Sequence, residues 1–181
     1  MYQFLFLSNL LVEKGIFVAL DACEILKCQG LNFICHIVGD RSQELSVDGV
    51  ENEVRERNLS DVVRVHGPLY GADKESILCQ VDAFIFPSFN ECFPLVVLEA
   101  MKHGLPIIST AVAALPDIIE DKETGFFVEA RNAESLAQAM KNVIKSPEMA
   151  VAIGLRGKER QQRFFSLVRF EETLSQILRE A

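Results

Sequence analysis

The sequence predicts an α/β fold: a doubly wound, six-stranded parallel sheet with helices on both faces. Apolar runs of strand length alternate with longer segments of helical period, the pattern of consecutive strand–helix units. The strand candidates are mostly unbroken apolar runs, as expected where both faces of a sheet are covered. The length, 181 residues, suits one domain, and 49% hydrophobic against 24% charged residues is the balance of a chain that buries a core. No repeat, low-complexity segment or second domain is visible, so residues 1–181 read as one unit.

Phe4–Leu7 is the first strand, FLFL. Lys14–Gln29 follows as a helix, with Phe17, Leu20, Ala22, Ile25 and Leu26 at helical spacing and Gly30 as its stop. Residues 32–39, NFICHIVG, form the second strand, and a polar stretch runs on to Asn58. Asp61–His66 is a short third strand, Asp73–Gln80 a short helix and Ala83–Phe86 the fourth strand. Phe93–His103 is a helix with Pro94 at its first position, where a missing N–H costs nothing, and Gly104 as its stop. Pro106–Ser109 is the fifth strand, Pro116–Glu120 a helical turn and Gly125–Val128 the sixth strand. Helices follow from Ala133, with a break at Ser146–Pro147. Sheets of this kind bind ligands beyond the carboxyl ends of their strands, where strand order reverses. The loops to inspect are therefore 8–15, 39–43, 66–72, 87–94 and 109–115.

The net charge of −8 argues against nucleic acid as a partner. It leaves room for a small phosphorylated ligand, which needs only a local cluster of cations and backbone N–H groups. Cys23, Cys28, Cys35, Cys79 and Cys92 form no C-x-x-C pair and have no histidine at metal spacing; they read as reduced thiols buried as small hydrophobes, and no metal is expected. His36, His66 and His103 lack carboxylate or metal partners at telling spacings and read as structural. Arg156, Lys158, Arg160 and Arg163, interrupted by Glu159, read as a solvated helix face. The opening MYQFLFLSNLLVEKG carries no basic leader and is too short for a membrane span, so a cytoplasmic location is expected. The chain enters its first strand almost at once, which suggests an excised domain. Neither G-x-G-x-x-G, G-x-x-x-x-G-K-[ST] nor D-x-D occurs, which removes the dinucleotide, P-loop and metal-chelating readings.

The segment PSFNECFPLVVLEAMKHGLPIIST, residues 87–110, carries the chemistry. Glu91 falls in the loop after the fourth strand, and Glu99 a turn into the next helix on the face of Leu95. Between them lies a helix N-terminus, where Leu95 and Val96 would offer free N–H groups to an anion such as a diphosphate. Carboxylates flanking an anion site make sense if the ligand also carries hydroxyls, since a carboxylate accepts hydrogen bonds from a vicinal diol. The pattern asks for sugar, phosphate and ribose in a row.

Glu91-x7-Glu99 in this setting resembles the signature of GT-B retaining glycosyltransferases of the family 4, or glycosyl transferases group 1, type. FLFLSNLLVEKG, IVGD (37–40), VRVHGPL (63–69), DAFIFPS (82–88), IIEDKETGFFVE (118–129) and RFFS (163–166) are similar to the family's segments in the family's order. The resemblance implies a Rossmann-like half of a GT-B fold: the nucleotide-sugar-binding C-terminal half, without the N-terminal acceptor half. It implies that Glu99 accepts hydrogen bonds from the ribose and Glu91 contacts the transferred sugar. Lys14 would place its ammonium on the diphosphate, with Gly15 allowing close approach. Phe93, Pro94, Leu95 and Val96 match the stretch whose backbone binds sugar and phosphate. Gly39 gives the turn after the second strand, while Arg41 reads as a surface residue. Leu69 frames the nucleobase or packs its loop. Asn9 stands where many members carry an arginine, and Cys92 and Pro94 where relatives have glycine, so phosphate contacts are fewer. Cys92 reads as a spacer.

The expected ligand is a UDP-, GDP- or ADP-sugar, with no metal or other cofactor. The acceptor, a sugar or lipid, would be held by the absent half, and any membrane contact would run through that half. The alternatives are a non-catalytic nucleotide-binding or assembly module, and half of a sugar-nucleotide epimerase of similar build.

Overall fold

A computed structural model describes residues 1–180, with Glu180 described by its backbone alone. Six strands form one sheet: β1 (Tyr2–Leu7), β2 (Phe33–Val38), β3 (Val63–Val65), β4 (Ala83–Phe86), β5 (Ile107–Thr110) and β6 (Gly125–Val128). Every pairing is parallel, and the order is β3-β2-β1-β4-β5-β6. Strand–helix alternation thus yields the doubly wound sheet. The helices are α1 (Ile16–Cys28), α2 (Val47–Glu56), α3 (Gly71–Gln80), α4 (Leu95–Lys102), α5 (Leu115–Ile118), α6 (Ala133–Lys145), α7 (Pro147–Phe164) and α8 (Leu167–Glu180).

The sheet separates two cores, and β1 feeds both. Phe4 and Phe6 enter the cluster with Leu20 of α1 and Met140 of α6. Leu5 and Leu7 enter the opposite cluster with Ile77 of α3 and Met101 of α4. Successive side chains of a strand point to opposite faces, so a strand covered on both sides must be apolar at every position. That is why the buried part of β1, Phe4–Leu7, reads as an unbroken hydrophobic run. Burial of each such side chain is worth about 1.5–3 kcal/mol.

Several boundaries move. The Lys14–Gln29 helix begins at Ile16 instead; Val12–Lys14 is a separate 3-10 turn, and Gly15 joins the two in the left-handed region at φ +80°. The polar stretch before Asn58 contains α2. Ser46 Oγ caps it by accepting from the Gly49 N–H at 3.0 Å, and only Val50 and Val54 are buried. With the partly buried Val47 they form the apolar stripe, and three valines are too weak as helix formers to announce a helix in a polar segment. α3 starts at Gly71, two residues before the expected Asp73. Pro94 is the N-cap of α4 with extended backbone (φ −79°, ψ 100°), so the first helical residue is Leu95.

Only Cys23 and Cys35 are buried; Cys28, Cys79 and Cys92 are exposed, against the expectation of buried thiols. Arg160 is not solvated. It donates to the Ile118 and Asp117 carbonyls, both at 2.9 Å, and to Glu120 at 2.6 Å, tying α7 to α5. No helix among the described residues is long and apolar enough to cross a membrane.

Candidate functional site

Strand order reverses between β1 and β4, since the chain steps outward from β1 to β3 on one side and from β4 to β6 on the other. The loops that follow β1 and β4 therefore meet at the switch point. Their meeting depends on Gly15. Its left-handed φ suits glycine, and a Cβ there would run into the Pro87 carbonyl oxygen. The 3-10 turn at Val12–Lys14 can thus sit directly against the end of β4.

Hydrogen bonds stitch the two loops together. The Phe89 N–H and Ser88 Oγ donate to the Glu13 carbonyl at 2.9 and 3.2 Å, and Asn90 Nδ2 donates to Glu13 Oε2 at 2.7 Å. Lys14 Nζ donates to Glu91 Oε1 at 2.8 Å and to the Asn90 carbonyl at 2.9 Å. These two side chains are 17% and 8% exposed, so the pair is largely removed from water. Two residues singled out in the sequence, 77 positions apart, are direct partners.

Beyond the ends of β1 and β2 opens a cleft of about 180 Å³ lined by Asn9, Gly39, Asp40, Leu69, Tyr70, Lys74 and Val96. Its floor is backbone. Ser8 N–H donates to Val38, Leu10 N–H to Asp40 and Gly39 N–H to Gly67, at 3.1, 2.9 and 3.0 Å. Gly39 is required because a Cβ would collide with the Ser8 carbonyl oxygen. Tyr70 Oη donates to Asp40 Oδ2 at 3.3 Å, and the adjacent carboxylate pushes the phenol's pKa up.

Lys74, at the start of α3, donates from Nζ to Glu99 Oε1 at 2.8 Å. The other oxygen, Glu99 Oε2, is buried with no hydrogen-bond partner among the described residues. Such an oxygen is one a ligand hydroxyl could satisfy. At the tip of α4 the Leu95 and Val96 N–H groups have no acceptor among the described residues. The tip is open: Leu95 is 65% exposed and Phe93 46%.

The structure therefore brings Asn9, Gly39, Leu69 and Val96 to one cleft, and joins Glu99 to it through Lys74. Lys14, Gly15 and Glu91 form a second cluster at the β1–β4 seam. The side chains of Phe93 and Leu95 turn elsewhere, to an apolar groove with Phe165 and Phe170, with the Phe93 and Phe165 rings 6.4 Å apart. Only their backbone belongs to the α4 tip. Lys74, Tyr70 and Asp40 were not chosen from the sequence as site residues. Tyr70 lies inside the flagged loop 66–72, and Lys74 falls within reach because α3 starts early. Glu91 and Glu99 are each paired with a lysine, whereas Asp40 and Glu13 accept from the uncharged Tyr70 and Asn90.

One histidine also differs from expectation. His103 does have a carboxylate neighbour, its Nε2 lying 2.9 Å from Glu75 Oε2. His36 Nδ1 and His66 Nε2 are 2.8 Å apart, and His36 Nε2 meets Gln3 Oε1 at 2.8 Å. Partial burial, then the neighbouring His66 and Arg64, hold His36 below its ordinary pKa; burial and Arg64 do the same for His66. Among the described residues no group of three or more His, Cys, Asp or Glu stands where it could hold a metal ion.

Known proteins share this arrangement of strands and loops. The chain is 27% identical over 179 residues to the putative colanic acid biosynthesis glycosyltransferase WcaL of Escherichia coli K12, covering 94% of this chain and 43% of that protein. Sucrose-phosphate synthase from Thermosynechococcus elongatus superposes with a TM-score of 0.84 at 28% identity, over 99% of this chain and 45% of that one. Anabaena HepE, solved in complex with UDP, superposes with a TM-score of 0.89 at 20% identity, a likeness of fold, over 99% of this chain and 49% of that one. The chain thus spans about half the length of the proteins it matches. A family model described as glycosyl transferases group 1 matches residues 2–160, from β1 through most of α7 and across both clusters of the site; the chain belongs to that family, and its fold is the Rossmann-like half of GT-B.

Proposed function

We infer that this chain binds a nucleoside-diphosphate sugar for retaining glycosyl transfer. One observation carries the reading: two lysine–glutamate pairs flank a helix tip whose first amides are unbonded. That tip and Lys14 suit a diphosphate, whose leaving charge they would stabilise during transfer. Glu91 suits the transferred sugar and Glu99 the ribose. The cleft of about 180 Å³ is below the ~300 Å³ lower end of complete small-molecule sites, so it serves as the nucleoside subsite of a wider surface. UDP in the structure of HepE, a protein of the same fold, supports this reading.

Residues 1–181 form the C-terminal, donor-binding half, and an N-terminal half holds the acceptor sugar or lipid. Transfer uses no metal and takes place in the cytoplasm, and this half alone binds the donor without transferring sugar. Asn9 and the N–H lost at Pro94 favour a second reading, a binding module that has given up catalysis.

Thermal-shift assays and calorimetry with UDP, GDP, ADP and their glucose conjugates test the proposal. A ligand that binds only the native state raises its stability. Glu99→Ala is expected to abolish the shift with the best nucleotide while leaving the far-ultraviolet circular dichroism unchanged. Absence of binding by every nucleotide to the folded protein overturns the donor reading, and an unchanged shift in Glu99→Ala overturns the ribose assignment.

A further inference from the structure

The cleft contains a cation to which the reading above assigns no ligand contact of its own. Lys74 Nζ is 2.8 Å from Glu99 Oε1, and no second acceptor is present for its other two N–H groups among the described residues. The lysine side chain is 25% exposed and lines the same cleft as Asn9, Gly39 and Tyr70. The glutamate keeps a lone pair on Oε1 and an unpartnered Oε2. Donor and acceptor therefore stand side by side, the lysine lining the cavity and the glutamate directly behind it.

A hydroxyl is the group that such a couple recognises. It donates through its hydrogen to the carboxylate and accepts through its oxygen from the ammonium. A hydrogen atom, an ether or a second anion cannot do both. Neither partner alone makes this choice: a carboxylate accepts from any donor, and an ammonium donates to phosphate as readily as to hydroxyl. Lys74 is also not part of the Lys14 cluster, because Glu99 holds it at the nucleoside cleft, whose lining includes neither Lys14 nor Glu91.

We propose that Lys74 is a specificity-determining residue of the donor site, which together with Glu99 selects ribonucleotides over deoxyribonucleotides by clamping a ribose hydroxyl between ammonium and carboxylate. The proposal rests on the donor-binding reading and adds to it a residue and a discrimination. Removing the hydroxyl leaves two charged groups with one partner fewer. Hydrogen bonds to charged groups are worth about 1.5–3 kcal/mol, which corresponds to roughly 10- to 150-fold in affinity.

The test is calorimetry with UDP, 2′-deoxy-UDP and 3′-deoxy-UDP, and with the corresponding guanine nucleotides, on the wild-type chain, Lys74→Gln and Lys74→Arg. Wild type is expected to favour the ribonucleotide by about tenfold or more over at least one deoxy form. Lys74→Gln is expected to bring that preference to within about threefold, and Lys74→Arg, which keeps a charged donor, to restore most of it. A merely structural lysine would weaken ribo and deoxy forms alike and leave their ratio at the wild-type value. That outcome overturns the clamp, as does a wild type that makes no distinction. If UDP and GDP both fail to bind the folded wild type, the donor reading itself falls. Circular dichroism of each variant keeps loss of fold distinct from loss of discrimination.

Discussion

Replacing Lys14 by methionine tests whether the β1–β4 seam is as dry as its geometry indicates. The ammonium makes two charge-assisted hydrogen bonds, at 2.8 Å to Glu91 and 2.9 Å to the Asn90 carbonyl. Removing it strands a carboxylate that is 8% exposed. Breaking a buried ion pair by deleting one partner costs about 3–5 kcal/mol. The residual exposure of the lysine, 17%, places Lys14→Met near the lower end. An expected loss of about 3 kcal/mol corresponds to a fall of roughly 6–12 °C in melting temperature for a chain of this size. Glu91→Gln keeps an acceptor for the lysine and removes only the charge, so about 1 kcal/mol is expected. The double variant leaves no stranded charge, and its cost should fall short of the sum by about 1 kcal/mol or more. Urea unfolding followed by circular dichroism measures all three. If Lys14→Met lies within about 0.5 kcal/mol of wild type, or if the two changes simply add, water screens the pair and the desolvated seam is refuted.

Gly15→Ala combines a left-handed φ with a Cβ aimed at the Pro87 carbonyl, so a loss of about 2–4 kcal/mol and a weaker nucleotide-induced thermal shift are expected; a neutral outcome would mean that the two loops can part without consequence. His36 and His66 both titrate below the ordinary 6.5 in the folded chain, mainly because burial disfavours their charged forms. The unfolded chain then binds more protons as pH drops, so this contribution to stability is complete above about 6.5 and is lost as pH falls through the folded values. Denaturant unfolding across this range should show that decline, and it should flatten when both residues are changed to glutamine.

Most of the sheet was legible because its strands carry short apolar runs, such as Phe4–Leu7 and Ala83–Phe86, with few polar positions such as His36 and Arg64 between them. Helix α2 was not, since its core face is three valines, Val47, Val50 and Val54, which are weak helix formers, and polar residues with Gly49 fill the rest. The two glutamates and Lys14 could be singled out as candidates because they sit in an ordered set of segments. Lys74 could not, because its partnership with Glu99 spans 25 residues and depends on where α3 starts and how it lies over α4. Phe93 and Leu95 were singled out for their backbone, and the apolar groove that their side chains enter was not foreseen. A sequence position names a residue's neighbours in the chain, and the side-chain heading comes only with the backbone at Pro94. The same limit applies to Arg160, whose three carbonyl and carboxylate partners come from a segment some 40 residues earlier.

The mutual neutralisation of lysines and glutamates has a consequence for what the protein ignores. A bare cationic pocket would attract every polyanion in its surroundings. Here each ammonium already faces a carboxylate, so a lone phosphate compound meets a cation whose charge is largely cancelled and gives the neighbouring carboxylate nothing in return. A visitor that brings hydroxyls for the acids along with anionic oxygens for the amines can exchange partners on both sides at once. Inorganic pyrophosphate should accordingly bind far more weakly than an intact nucleoside diphosphate, despite carrying the same linkage.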